Sequence, residues 1–162
     1  MYEDFLAKWK TMDFSAWNEM DVREEFIAPL LIFLGYGKGT IHEVIREKNL
    51  TLKNAFSRVG RKRVQIDYIP TIRLKSFWII EAKPGNKKEM DMGDFLQAHL
   101  YAIHPEIQAR FIVLINGWEI RIYDALTATE WEDTLYVFNQ KSDENEFVKI
   151  IDVLGSKKML RF

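Results

Sequence analysis

Hydrophobic positions recur along this chain with two periods, and the changes of period mark its elements. From Tyr2 to Lys10, Phe5, Leu6 and Trp9 share one face of a helix. A longer helical stretch follows, in which Val22, Phe26, Leu30 and Phe33 with Ile27, Leu31 and Leu34 form a wide apolar arc. Asn18 suits its N-cap and Gly35 its end, while Asp21 with Glu24 as capping-box partner offers a second start. Pro29 lies inside the pattern, where a missing N–H kinks a helix. Alternation then takes over: Ile41, Glu43, Ile45 and Glu47 against His42, Val44 and Arg46 predict a strand over Ile41 to Leu50. Asn54 to Gly60 is a polar turn, leading to strands over Val64 to Ile69 and Phe77 to Lys83. Pro84-Gly85-Asn86 opens a flexible charged run to Gly93. A helix from Asp94, as cap, to Ile103 carries Phe95, Leu96, Leu100 and Ile103. The β-rich runs Arg110 to Ile115 and Trp118 to Asp124 flank Asn116-Gly117, the two-residue signal for a type I′ hairpin. Leu135 to Phe138 predicts one more strand, and Glu144 to Leu154 a closing helix with Phe147, Ile150, Ile151 and Leu154 inward and Gly155 as its stop. The order α, β, β, β, α, β, β predicts an α/β (α+β) domain with a mixed central sheet flanked by helices.

The chemistry concentrates on the paired strands in the middle. On the second of them Phe77, Ile79, Glu81 and Lys83 share a face, which passes from apolar to acidic to basic as the strand ends. On the first, Asp67 is a lone carboxylate in a strongly β-prone run. If the strands are neighbours, Asp67 and Glu81 converge into a hard-oxygen site for Mg²⁺ or Mn²⁺, to which the Ala82 carbonyl can add a ligand. Lys83 stands roughly 7 Å along from Glu81 by the strand rise. On the following helix Gln97 and Tyr101, at i and i+4, share a face.

Asp67 followed by Glu81-Ala82-Lys83 resembles the signature of the PD-(D/E)XK nucleases. With Gly60-Arg61-Lys62, Gln97 to Ala102 and Asn116-Gly117 around it, the chain resembles the N-terminal nuclease domain of type I restriction enzyme R subunits, over roughly Asn18 to Asp124. The resemblance implies a restriction-endonuclease-like core and Mg²⁺- or Mn²⁺-dependent cleavage of DNA, with Asp67, Glu81 and Lys83 as the central residues. It makes Gln97 and Tyr101 the QxxxY pair that handles the nucleic-acid strand. It also implies an acid from the first core helix, to be chosen among Glu19, Glu24 and Glu25. Helicase motor, specificity and methyltransferase subunits are the partners it suggests; a Walker-type phosphate loop is not in this chain. The alternative is a DNA-binding or assembly module of a restriction-modification or repair complex that has kept the fold and lost turnover.

Composition narrows the picture. The length of 162 residues suits one domain spanning 1–162, and with no bilayer-length apolar tract and no signal-peptide pattern at Met1 to Asp4 the default expectation is a cytoplasmic protein without membrane association. The absence of cysteine excludes disulfides and thiolate metal sites. Nothing resembles an activated Ser or Cys nucleophile, which points to direct hydrolysis. A formal net charge of −1 neither demands nor forbids DNA. The basic clusters Arg58, Arg61, Lys62, Arg63 and Lys83, Lys87, Lys88 flank the candidate site on both sides and would serve as its DNA contacts. His42, His99 and His104 are too scattered for a zinc motif.

Overall fold

A computed structural model of the chain describes residues 2–37, 44–51, 63–72, 75–76, 78–87 and 89–156; in β1, β3 and most of β2 it describes the backbone. The order is α1 (Tyr2–Lys10), α2 (Glu19–Val22), a π-helical turn (Arg23–Ile27), α3 (Ala28–Phe33), β1 (Val44–Thr51), β2 (Arg63–Ile72), β3 (Lys75–Ser76) and β4 (Trp78–Ala82). Then come α4 (Met92–Ala102), β5 (Phe111–Ile115), β6 (Glu119–Asp124), β7 (Tyr136–Asn139), α5 (Glu144–Phe147) and α6 (Lys149–Leu154). The described strands form one sheet in the order β1-β2-β4-β5-β6-β7, with β3 paired to β2. Among the described strands only β4 and β5 run parallel, and α4 makes the crossover that a parallel pair requires. The mixed sheet flanked by helices is therefore present. No helix among the described residues is long and apolar enough to cross a membrane.

Strict alternation along the central strands sorts their side chains into two cores. Trp78, Ile80 and Ala82, with Val113, Ile115, Ile120 and Ile122, face the helices of the N- and C-terminal segments. Ile79, Ile112, Leu114 and Tyr123 face the other way, against Phe95, Ala98, Tyr101 and Ala102 of α4. All five residues of β4 are buried, as are all five of β5. A strand covered on both faces reads as a continuous apolar run, so Glu81 stands out within β4.

The long N-terminal helix starts from Asn18, whose side chain accepts the Asp21 N–H while Asp21 returns the bond to the Asn18 N–H. The capping-box partner is thus Asp21, not Glu24. Ahead of Pro29 the helix widens into the π-turn, where the Ala28 N–H bonds the Arg23 carbonyl five residues back. Proline crowds the preceding turn and donates no bond there, and the wider turn accommodates it without breaking the helix. At the other end the Gly35 N–H bonds the Ile32 carbonyl and the Tyr36 N–H the Leu31 carbonyl, a Schellman closure with Gly35 at φ +93°. The last helix is interrupted at Val148, and Gly155 closes it at φ −58°, without a left-handed residue.

Three sequence expectations near the site need correction. The α4 cap is Asp91, one turn earlier than Asp94, and Asp94 is its reciprocal partner. The inward face of α4 is Phe95, Ala98, Tyr101 and Ala102, while Leu96 and Ile103 are about half exposed, at 51% and 45%. The small side chains at positions 98 and 102 let the helix lie close on the sheet, which the larger leucine and isoleucine would hold away. The turn at Pro84-Gly85-Asn86 is present, with the Lys87 N–H on the Pro84 carbonyl, the Asn86 N–H on the Trp17 carbonyl and the Trp118 indole on the Gly85 carbonyl, but the charged run after it ends at Asp91, because Met92 and Gly93 already belong to α4.

The β5–β6 hairpin also differs from its sequence signature. Ile115 pairs with Ile120, and the Asn116 N–H reaches the Glu119 carbonyl, so Gly117 and Trp118 occupy the centre of the turn. Only Gly117 there has a positive φ, +91°, whereas a type I′ turn over Asn116-Gly117 needs two. Asn116 is instead fully buried, its Oδ1 accepting the Glu119 N–H, and a side chain at Gly117 would run into the Phe14 ring.

Candidate active site

Tyr68 on β2 opposes Ile80 on β4 in an antiparallel pair. Continuing that register by one residue sets the backbone of Asp67 across from Glu81. Against β3, β2 is offset by one residue, since Thr71 meets Ser76. The β3–β4 segment thus holds one extra residue opposite Ile69 and Pro70, and Pro70 has no N–H to give a ladder.

Glu81 is 5% exposed and alternates with Ile79, so it lies on the α4 side of the sheet. Ala82 ends β4 in parallel register with Ile115, and the Lys83 N–H continues that ladder to the Ile115 carbonyl at 2.8 Å. Lys83 accordingly keeps the strand's alternation and falls on Glu81's side.

There α4 meets it. The Lys83 ammonium donates to Gln97 Oε1 at 3.1 Å and lies 3.5 Å from Asp94 Oδ1. Gln97 in turn donates from Nε2 to the Tyr101 hydroxyl at 2.7 Å. Asp94, Gln97 and Tyr101 follow at i, i+3 and i+7, which puts all three on one stripe of the helix. Tyr101 is 3% exposed, so its hydroxyl supports Gln97 and does not present a surface for a base to stack on. Gln97 is half-buried and bridges the core to the end of the strand.

Asp94 is the member of this group that the sequence marked only as a helix cap. Its Oδ2 accepts the Asp91 N–H at 2.9 Å and its own N–H bonds Asp91 Oδ1 at 3.1 Å. That N–H, and beyond it Lys87, hold the Asp91 carboxyl below the usual carboxylate range. The signal available in sequence was the spacing of Asp94 three residues before Gln97, on the same helical face.

Glu19 and Glu24 are exposed, and so is Glu25; the helix that carries them packs on the face of Trp78 and Ile80, opposite to Glu81. Lys87 is exposed and pairs with Asp91 at 3.4 Å. Arg58, Arg61, Lys62, Lys88 and His42 lie outside the described residues, and Arg63 is described by backbone alone. His99 contacts the Ala125 carbonyl at 3.1 Å and His104 is buried, its Nδ1 accepting the Glu106 N–H.

The fold is similar to that of a fragment of a "putative HsdR subunit of a type I restriction enzyme from Vibrio vulnificus YJ016", with a TM-score of 0.54 and 22% identity. The match covers 84% of this chain and 25% of that one, so the likeness is one of fold and spans a quarter of the longer protein. No family model and no curated protein matches the chain.

Proposed function

We propose that this chain is a metal-dependent DNA endonuclease domain of the restriction type, one that hydrolyses phosphodiester bonds. One observation carries the reading. Lys83 stands two residues beyond the buried Glu81 at the carboxyl end of β4, beside the strand of Asp67, with its ammonium held by Gln97. The fold likeness to a fragment of a type I restriction enzyme subunit supports a restriction-system setting for that reaction, and DNA as substrate with motor, specificity or methyltransferase subunits as partners belongs to the same proposal.

The donor set suits a hard divalent cation. Carboxylate oxygens from Asp67 and Glu81, with the Ala82 carbonyl, are ligands of the kind that Mg²⁺ and Mn²⁺ take. Such an ion, when bound, polarises a phosphate oxygen and lowers the pKa of a coordinated water. Lys83 orients the attacking water and offsets charge that develops on the phosphate, as fixed donors do in a site with little solvent. Gln97 holds the ammonium in place and offers its amide toward the DNA backbone, while Tyr101 fixes the amide's orientation. Arg61, Lys62, Arg63, Lys87 and Lys88 would neutralise flanking phosphates.

Calorimetric titration with Mn²⁺ tests the site. Binding that disappears in Glu81→Ala is expected; no binding by the native protein at millimolar metal would instead favour a module without turnover.

A further inference from the structure

Asp94 occupies a place that helix capping alone does not explain. Its two oxygens are divided between tasks: Oδ2 accepts the Asp91 N–H at 2.9 Å, and Oδ1 lies 3.5 Å from Lys83 Nζ. The first contact locks the carboxylate against the helix's opening turn, so the second is presented from a rigid support. Lys83 is 17% exposed and Asp94 13%, which keeps the pair from the full screening of a surface ion pair. Gln97 Oε1 accepts a hydrogen bond from the same ammonium at 3.1 Å, from one helical turn further on. An ammonium has three donors and the lysine stem four flexible carbons, so one acceptor would leave Nζ free to swing. Two acceptors at i and i+3 of one helix confine it to a single position past the end of β4.

We infer that Asp94 is a positioning residue: by its charge, and together with the Gln97 hydrogen bond, it fixes the Lys83 ammonium at the carboxyl end of β4, so that the ammonium's other protons are aimed at the reacting phosphate or water. The inference rests on the nuclease reading for its consequence in catalysis, but the tether itself is a property of the protein without metal or DNA. Asparagine at position 94 keeps an oxygen for the Asp91 N–H and removes the charge on Lys83, so Asp94→Asn separates capping from positioning.

The test has two arms on the purified chain. In the first, the rate at which acetic anhydride modifies Lys83 is followed by mass spectrometry without metal. It should rise several-fold in Asp94→Asn, while the thermal midpoint stays near that of the native protein. An unchanged rate would overturn the tether. In the second, cleavage of a DNA duplex with Mg²⁺ should fall about tenfold or more in kcat with little change in KM, since a misplaced group costs rate more than binding. Faster cleavage by Asp94→Asn would show the carboxylate to be a competitor of phosphate and would also overturn the inference. Should the native protein not cut DNA while Lys83 is still unmasked by Asp94→Asn, the tether stands and the nuclease reading falls.

Discussion

At the level of single residues, the placing of Glu81 and Lys83 on one side of one strand was legible because it depends on a period of two. Glu81 and Lys83 fall on one side of β4 as alternation requires, and the β2–β4 pairing brings the backbone of Asp67 to the neighbouring position. Gln97 and Tyr101 were legible for the same kind of reason, a helical i, i+4 relation, and they bond each other at 2.7 Å. Asp94 was read only as a cap, since nothing in a one-dimensional pattern says that the end of β4 lies beneath the first turn of α4. The burial of Tyr101 was equally out of reach, being set by how α4 rolls on the sheet. It alters what the pair is expected to do. Gln97→Ala should lower cleavage about tenfold, and Tyr101→Phe by less, because the phenol acts through Gln97. Neither should weaken Mn²⁺ binding in calorimetry; a loss of ion affinity as large as that of Asp67→Ala would contradict a role confined to Lys83 and the DNA strand.

Elements were legible where the period was long and clean, and shifted where small residues or buried polar groups decided the geometry. The first helix runs over Tyr2–Lys10 as its apolar spacing predicts, with Leu6 and Trp9 buried. For α4 the apolar residues alone suggested a face containing both Phe95 and Leu96, whereas Ala98 and Ala102 select the face that touches the sheet. Phe95 is fully buried, its ring 4.5 Å from that of Tyr123, and Leu96 is 51% exposed. Phe95→Ala should therefore cost about 3–5 kcal/mol and loosen the helix that carries Asp94, Gln97 and Tyr101. Leu96→Ala should change stability by no more than about 0.5 kcal/mol. Urea unfolding of the two variants checks the roll of α4, and equal losses would show the helix to be turned differently. The hairpin illustrates the same limit: Asn116-Gly117 marks a turn correctly, but the buried Asn116 amide and the Phe14 ring move its centre to Gly117-Trp118.

For the molecule as a whole, the central strands are held together by more than their apolar faces. Arg110, just before β5, bonds Asp124 Oδ2 at the end of β6 through Nε at 3.0 Å and Nη2 at 2.9 Å. Burial by itself raises the Asp124 carboxyl, but the Arg110 hydrogen bonds, the Leu126 N–H and the Arg110 charge outweigh it and leave the carboxyl below its usual range. A folded-state value below the unfolded one of about 3.9 means that the contribution is fully present above roughly pH 4 and lost as pH falls through the folded value. Thermal melts between roughly pH 5 and 3 should thus show a smaller acid-induced loss in Asp124→Asn than in the native chain; equal slopes would remove this pair from the acid response.

The mixed sheet, its flanking helices and the position of the β4–α4 connection bring Glu81, Lys83, Asp94, Gln97 and Tyr101 to one end of the sheet, and the central claim is that this site cuts DNA. Incubation of supercoiled plasmid with the purified chain and Mg²⁺ or Mn²⁺, resolved by gel electrophoresis, tests it directly. A metal-dependent nuclease predicts nicked or linear plasmid from the native protein, and none from Asp67→Ala or Lys83→Ala variants that remain folded by circular dichroism. Plasmid left intact by the native protein in both metals, or cut equally well by those variants, would contradict it.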